Sequence, residues 1–119
     1  ADFVSLHANL TDETRRLVNR ERLALMKPGA FLINCARGPM VDEAALIEAL
    51  RSGRIAGAGL DVTDPEPVAP ESPLFAMPNV IVTPHYAPTT IESATRVSRI
   101  AAQNTIAVLA GKEPVGRII

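Results

Sequence analysis

The sequence predicts an α/β fold, a parallel β-sheet with helices packed on both faces, and two observations carry that expectation. Four short runs, FVSLH, AFLIN, IAGAGLDV and VIVTPH, are apolar along most of their length, where a strand with one solvated face would alternate apolar with polar. Between them lie stretches of helical periodicity, bounded by capping residues and by glycine or proline.

The elements follow in order. Phe3 to His7 is the first strand candidate. Thr11 then caps helical sequence, LTDETRRLV and RERLALM, with Asp12 and Glu13 placing negative charge in the first turn, where the helix dipole favours it. Pro28-Gly29 breaks this helix ahead of the second strand, Ala30-Phe31-Leu32-Ile33. Asp42 caps EAALIEALRSG, which sets Leu46, Ile47 and Leu50 on one face and stops at Gly53. IAGAGLDV is the third strand, and VIVTPH the fourth, after the proline-rich loop DPEPVAPESP and the short turn LFAMPN. Thr89 or Thr90 opens a long helix that reaches about Leu109, ahead of Gly111.

Composition narrows the function classes. With 119 residues, 47% hydrophobic and 21% charged, the chain suits one small domain with a core of its own. A net charge of -1 lacks the one-signed excess of a nucleic-acid or anionic-membrane binder, and Phe3, Phe31, Phe75 and Tyr86 are not interleaved with basic residues, so neither partner is expected. No run has the length of a membrane span and no basic-then-apolar leader opens the chain, which favours the cytoplasm. The single Cys35 forms no internal disulfide and has no companions at ligand spacing, so a reducing compartment suits it and a metal site is not expected.

In a parallel sheet, ligands bind beyond the carboxyl ends of the strands, so the polar residues there are the candidates. They are His7, then Asn34 to Arg37, then Asp61 with Asp64 and Glu66 in the following loop, then His85. Arg37 can clamp a carboxylate through two parallel N–H bonds, or form a structural ion pair; Gly38-Pro39 leaves it no regular helix to decorate. His85 can be a strand-end histidine bonded to a carbonyl or, paired with Glu66, a proton donor kept charged at neutral pH. Cys35 reads most simply as a small apolar residue, with nothing around it that would activate a nucleophile.

Together these residues resemble a known family. NCARGPMVDEAALIEALRSGRIAGAGLDVTDPEP followed by NVIVTPH is similar to the D-isomer-specific 2-hydroxyacid dehydrogenases, whose signature runs roughly N-x-A-R-G-x-x-V-D-E, L-D-V-x-x-x-E-P and T-P-H or S-P-H. The spacings also agree: 24 residues from Arg37 to Asp61, 5 on to Glu66 and 19 on to His85. The resemblance covers essentially the whole chain.

It implies a Rossmann-like parallel sheet, and an enzyme that passes a hydride between C2 of a 2-hydroxy or 2-oxo acid and NAD, or alternatively NADP. Arg37 would bind the substrate carboxylate and polarise the 2-oxo group. His85 would donate or accept the hydroxyl proton, and Glu66 would hold His85 protonated for reduction. Asp61 would accept a hydrogen bond from the nicotinamide carboxamide, and Ala8, Cys35, Ala36, Arg37 and His85 would lie along the cofactor, Ala8 and Cys35 by backbone contact. The NCARG element is similar to the phosphoglycerate dehydrogenase branch, which makes 3-phosphoglycerate the leading candidate acid, its phosphate-binding residues lying in the absent half, and the whole protein would be a homodimer.

Two departures stand out. Pro88 replaces part of a glycine-containing turn and has no backbone N–H to offer a cofactor. The glycine-rich strand-turn-helix that seats a pyrophosphate is also missing, because Gly57-Ala58-Gly59 runs on into Leu60-Asp61-Val62 as a strand. The chain therefore reads as the second half of a dinucleotide-binding domain over residues 1–88, with a long helix and tail over 89–119 returning toward a substrate domain. Such a fragment would be inactive alone. Two further readings are an NAD-sensing corepressor or scaffold without turnover, and an interaction module with no ligand.

Overall fold

In a computed structural model, residues 1–117 are described, and they divide into a unit from Ala1 to Tyr86 and a second unit that starts at Ala87. The first is α/β and Rossmann-like. Its elements are β1 (Phe3–Leu6), α1 (Arg20–Leu25), β2 (Phe31–Asn34), α2 (Glu43–Arg51), β3 (Gly57–Leu60) and β4 (Val80–Val82). All four strands are parallel and lie in the order β1-β2-β3-β4.

That order decides which face is covered. Both β-α-β crossovers step in the same direction across the sheet, and right-handed crossovers then bring α1 and α2 to the same side, where they pack on each other. The expectation of helices on both faces is corrected accordingly for this unit. Leu6, Leu32, Ala58 and Leu60 are buried beneath the helices, while Phe3, Phe31 and Ile81 on the other face stay exposed, Phe3 and Phe31 stacking with centroids 5.5 Å apart. Gly57 lies in register with Phe31, and a Cβ there would come within 2.9 Å of the Phe31 ring and 2.6 Å of the Asn79 carbonyl oxygen. The glycines of GAG thus serve close packing of the sheet.

The core is built by Leu23 of α1, Leu32 of β2, Leu46 of α2, and Met40, Ile55 and Leu74 from the connections, all nearly inaccessible. Each such side chain contributes about 1.5–3 kcal/mol by leaving water. Asp42 caps α2 as expected, its Oδ1 accepting from the Ala45 N–H at 3.1 Å, and Gly53 ends the helix with φ +68°.

The expected helix from Thr11 does not form. The segment makes a turn in which the Thr14 hydroxyl donates to the Asn9 carbonyl and accepts from the Thr11 N–H, both at 2.7 Å, and Arg16 turns left-handed at φ +51°. The N–H groups of Arg16 and Val18 then bond to the carbonyls of Pro39 and Met40, so Val18 runs parallel to Val41 as an isolated bridge. A helix here would forfeit those cross-chain bonds, and α1 waits for Asn19, whose side chain accepts from the Arg22 N–H at 3.0 Å.

The second unit contains α3 (Ile91–Leu109), opened by Thr90, whose hydroxyl accepts from the Ser93 N–H at 3.1 Å. Beyond the helix the tail reverses at Gly111, φ +69°, and the Asn104 side chain brackets both the N–H and the carbonyl of Val115, at 2.9 and 3.0 Å. Among the described residues, no helix is long and apolar enough to cross a membrane.

Candidate active site

The strands end flush. Leu6, Asn34, Leu60 and Val82 are register partners in one row, the last residues of β1 to β4. One residue beyond that row come His7, Cys35, Asp61 and Thr83; three residues beyond it come Arg37 and His85. Parallel pairing with this register therefore brings residues far apart in sequence to one edge.

At the end of β4 the chain turns sharply. His85 adopts φ +57°, a conformation that costs a non-glycine residue about 1–2 kcal/mol, and its N–H bonds to the Thr83 carbonyl at 3.0 Å. Asp61 holds the turn from both sides: its Oδ1 accepts from the Thr83 hydroxyl at 2.5 Å and from the Tyr86 N–H at 2.7 Å. A buried carboxylate spanning β3 and β4 thus sets the backbone on either side of the histidine.

Glu66 approaches from the loop after β3, where prolines on both sides restrict the backbone and the Thr63 hydroxyl bonds to the Pro65 carbonyl at 2.8 Å. Its carboxylate is hydrogen-bonded to Nδ1 of His85, with the two side chains 40% and 41% exposed. At that exposure the pair adds at most about 1 kcal/mol to stability, so its chief effect is to orient the ring. With Nδ1 engaged, Nε2 is the ring atom able to exchange a proton with a ligand. Both residues line a cleft of about 450 Å³, together with Asp61 and the apolar side chains of Val68, Phe75 and Val82.

Arg37 stands on the same sheet edge at the end of β2. It is exposed, its Nη1 donates to the Ala36 carbonyl at 2.6 Å, and it is bonded to neither Glu66 nor His85 and is not part of the cleft wall. Cys35 and Ala8 are exposed at the edge, and Ala36 is buried. The structure therefore joins Glu66 to His85 and sets Asp61 against the residues flanking His85, while Arg37, Cys35, Ala36 and Ala8 are neighbours by strand register. Behind the site, burial and then the charge of Asp64 push the Glu43 carboxyl above its ordinary range. Among the described residues, no group of three or more His, Cys, Asp or Glu could hold a metal ion.

Sequence reasoning misses two contributors, Thr83 and Gly38, and names a third, Asn34, without its role. Thr83 was read only as part of a strand end, although its hydroxyl anchors the turn to Asp61. Gly38 fits where a Cβ would lie 1.9 Å from the Thr63 carbonyl oxygen, so the loop bearing Arg37 and the loop leading to Glu66 touch backbone to backbone. Asn34 is almost fully buried, and its side chain bonds to the backbone of Ala36 and Arg37. A signal for Asn34 was present, because it is the polar member of a row otherwise made of Leu6, Leu60 and Val82.

Comparison with known proteins adds the following. Residues 1–87 match the family profile described as D-isomer specific 2-hydroxyacid dehydrogenase, NAD binding domain. The chain is 53% identical over 114 residues to a glyoxylate reductase of Thermofilum pendens, covering 96% of this chain and 34% of that protein. It is 46% identical over 112 residues to a D-3-phosphoglycerate dehydrogenase of Methanocaldococcus jannaschii, covering 94% of this chain and 21% of that protein. Among solved structures, a D-isomer specific 2-hydroxyacid dehydrogenase from Xanthobacter autotrophicus Py2, in complex with NADPH and MES, superposes with a TM-score of 0.87 at 47% identity, over 100% of this chain and 48% of that one. The chain spans about a third or less of the two curated relatives.

Proposed function

The chain belongs to the D-isomer specific 2-hydroxyacid dehydrogenases, within their NAD binding domain, and from that premise we propose that it carries the hydride-transfer site of an NAD- or NADP-dependent enzyme acting on a small 2-oxo or D-2-hydroxy acid. The observation that carries the reading is the pairing of Glu66 with Nδ1 of His85 in a cleft whose wall includes Asp61. Residues 1–88 would be the second half of the nucleotide-binding domain, and 89–119 the helix and tail that return toward a substrate domain.

The donor set fits a nicotinamide. A carboxylate acceptor stands beside an imidazole proton donor, and the small residues Ala8, Cys35 and Ala36 follow β1 and β2, so a flat ring can approach the backbone there. When bound, the nicotinamide supplies or takes the hydride at C2. The rest falls to the chain's own residues. Asp61 accepts from the carboxamide, and Arg37 makes two bonds to the substrate carboxylate, which fixes the plane of the 2-oxo group. His85 delivers the proton from Nε2 to the substrate oxygen on reduction and recovers it on oxidation, while Glu66 stabilises the charged ring.

For the substrate we favour an acid with a small uncharged tail over the 3-phosphoglycerate that the NCARG element suggests. The greater identity to a glyoxylate reductase supports this choice. The test is the initial rate of NADH and NADPH oxidation by the whole protein with glyoxylate, hydroxypyruvate and 3-phosphohydroxypyruvate. Preference for the first two is expected. Preference for the phosphorylated acid would overturn the substrate assignment, and no turnover of any of them would overturn the enzyme reading in favour of a binding role.

A further inference from the structure

Asn34 is 1% exposed, in a row whose other members are Leu6, Leu60 and Val82. A buried amide in an aliphatic row is costly unless every polar atom is engaged. Here Oδ1 accepts from the Ala36 N–H at 3.1 Å and Nδ2 donates to the Arg37 carbonyl at 3.0 Å. These two groups belong to the peptides on either side of the one joining Ala36 to Arg37. That middle peptide carries the Ala36 carbonyl, which accepts from the Arg37 guanidinium at 2.6 Å. One buried side chain therefore fixes both flanking peptides, and the peptide between them orients the guanidinium. The backbone of Asn34 extends the linkage sideways, since its carbonyl accepts from the Asp61 N–H at 2.9 Å.

We propose that Asn34 is a positioning residue for Arg37, its buried amide holding the Ala36–Arg37 backbone so that the guanidinium meets the substrate carboxylate in two-bonded geometry. The inference rests on the reading of Arg37 as the carboxylate-binding group. A leucine would fill the space but leave the Ala36 N–H and the Arg37 carbonyl without this partner, and the loop would lose its fixed peptide planes. Aspartate keeps an oxygen for the Ala36 N–H and replaces the amide donor with a second acceptor, while serine offers one hydroxyl on a side chain one atom shorter than the amide, so each breaks the two-bond bracket.

The experiment uses the whole enzyme with glyoxylate and reduced cofactor, comparing wild type, Asn34→Asp, Asn34→Ser, Arg37→Ala and the double variants. Each Asn34 variant is expected to raise KM for the acid and to lower kcat/KM on the order of 10-fold or more. In the Arg37→Ala background the same changes should cost less than about 2-fold, because there is no guanidinium left to position. Equal losses in both backgrounds would overturn the inference by marking Asn34 as a general structural residue. So would unchanged kinetics in the single variants while Arg37→Ala is impaired. Arg37→Ala with wild-type kinetics would overturn it by another route and place the fault in the reading of Arg37 itself. Melting curves are recorded for all variants; if Asn34→Asp does not fold, Asn34→Ser is read alone, and loss of the fold in both would overturn the positioning role in favour of core stability.

Discussion

Gly38 and Thr63 meet backbone to backbone: a Cβ on Gly38 would lie 1.9 Å from the Thr63 carbonyl oxygen and 2.9 Å from the Asp64 nitrogen. Nothing flexible can yield there, since every clashing atom is main chain. Gly38→Ala is therefore expected to lower stability by about 1–3 kcal/mol, the usual range for overpacking, and to lower Tm by several degrees. An unchanged melting temperature would show that the two loops part without cost.

Replacing Arg37 with lysine keeps the charge and loses the fork of donors. If Arg37 binds the substrate carboxylate through two bonds, Arg37→Lys in the whole enzyme should raise KM for the acid and lower kcat/KM by the equivalent of about 1.5–3 kcal/mol. Steady-state kinetics at fixed cofactor measure this, and wild-type values would remove Arg37 from the substrate site.

The pairing of Glu66 with His85 predicts a directional response to pH. If His85 is the proton donor, reduction takes a proton from the imidazole and oxidation returns one, so kcat/KM should fall with rising pH for the first and rise for the second. Glu66→Gln withdraws the negative partner of the charged ring, and at neutral pH it should impair reduction more than oxidation. His85→Gln should suppress both directions by on the order of 100-fold or more. Equal effects of Glu66→Gln in both directions would mean that Glu66 serves the loop and not the proton.

Glu43 offers a stability test away from the chemistry. Burial, and after it the charge of Asp64, holds its carboxyl above the ordinary value of 4.5, so the folded chain binds this proton more tightly than the unfolded one. The resulting stabilisation is fully present below the unfolded value and is lost as pH rises through the folded one. Glu43→Gln keeps a neutral group at every pH. It should match the wild type in acid and exceed it at neutral pH by less than about 1 kcal/mol, since the site is partly hydrated. Melts at the two pH values that differ from wild type equally would refute this.

The strands and the caps at Asp42 and Thr90 were legible because each rests on local chemistry: a run of apolar residues, or an oxygen placed to meet the first free N–H groups of a helix. Thr11 carried the same local signal and misled, because partners more than twenty residues away, at Pro39 and Met40, took the N–H groups of Arg16 and Val18. Coverage of the sheet was misjudged for a related reason. Apolar strands show that a sheet is buried somewhere, but only the strand order shows where the helices fall. In the site, the residue types at the strand ends were readable in advance. The grip of Asp61 on the turn and of Asn34 on its loop was not, since a side chain's partner depends on register and rotamer.

The bonds that assemble the site have a temporal consequence. Glu66 and His85 are 19 residues apart, Asp61 and Thr83 are 22 apart, and Asp61 and Tyr86 are 25 apart, so each bond closes a long loop. Loop-closure entropy must be met before such contacts return anything, and β3 and β4 have to be paired in register before any of them can form. A refolding chain would therefore regain helix signal first, sheet next, and the Glu66–His85 pairing last. That pairing is the most cooperative feature of this unit, because it exists only when the β3–β4 pairing is complete.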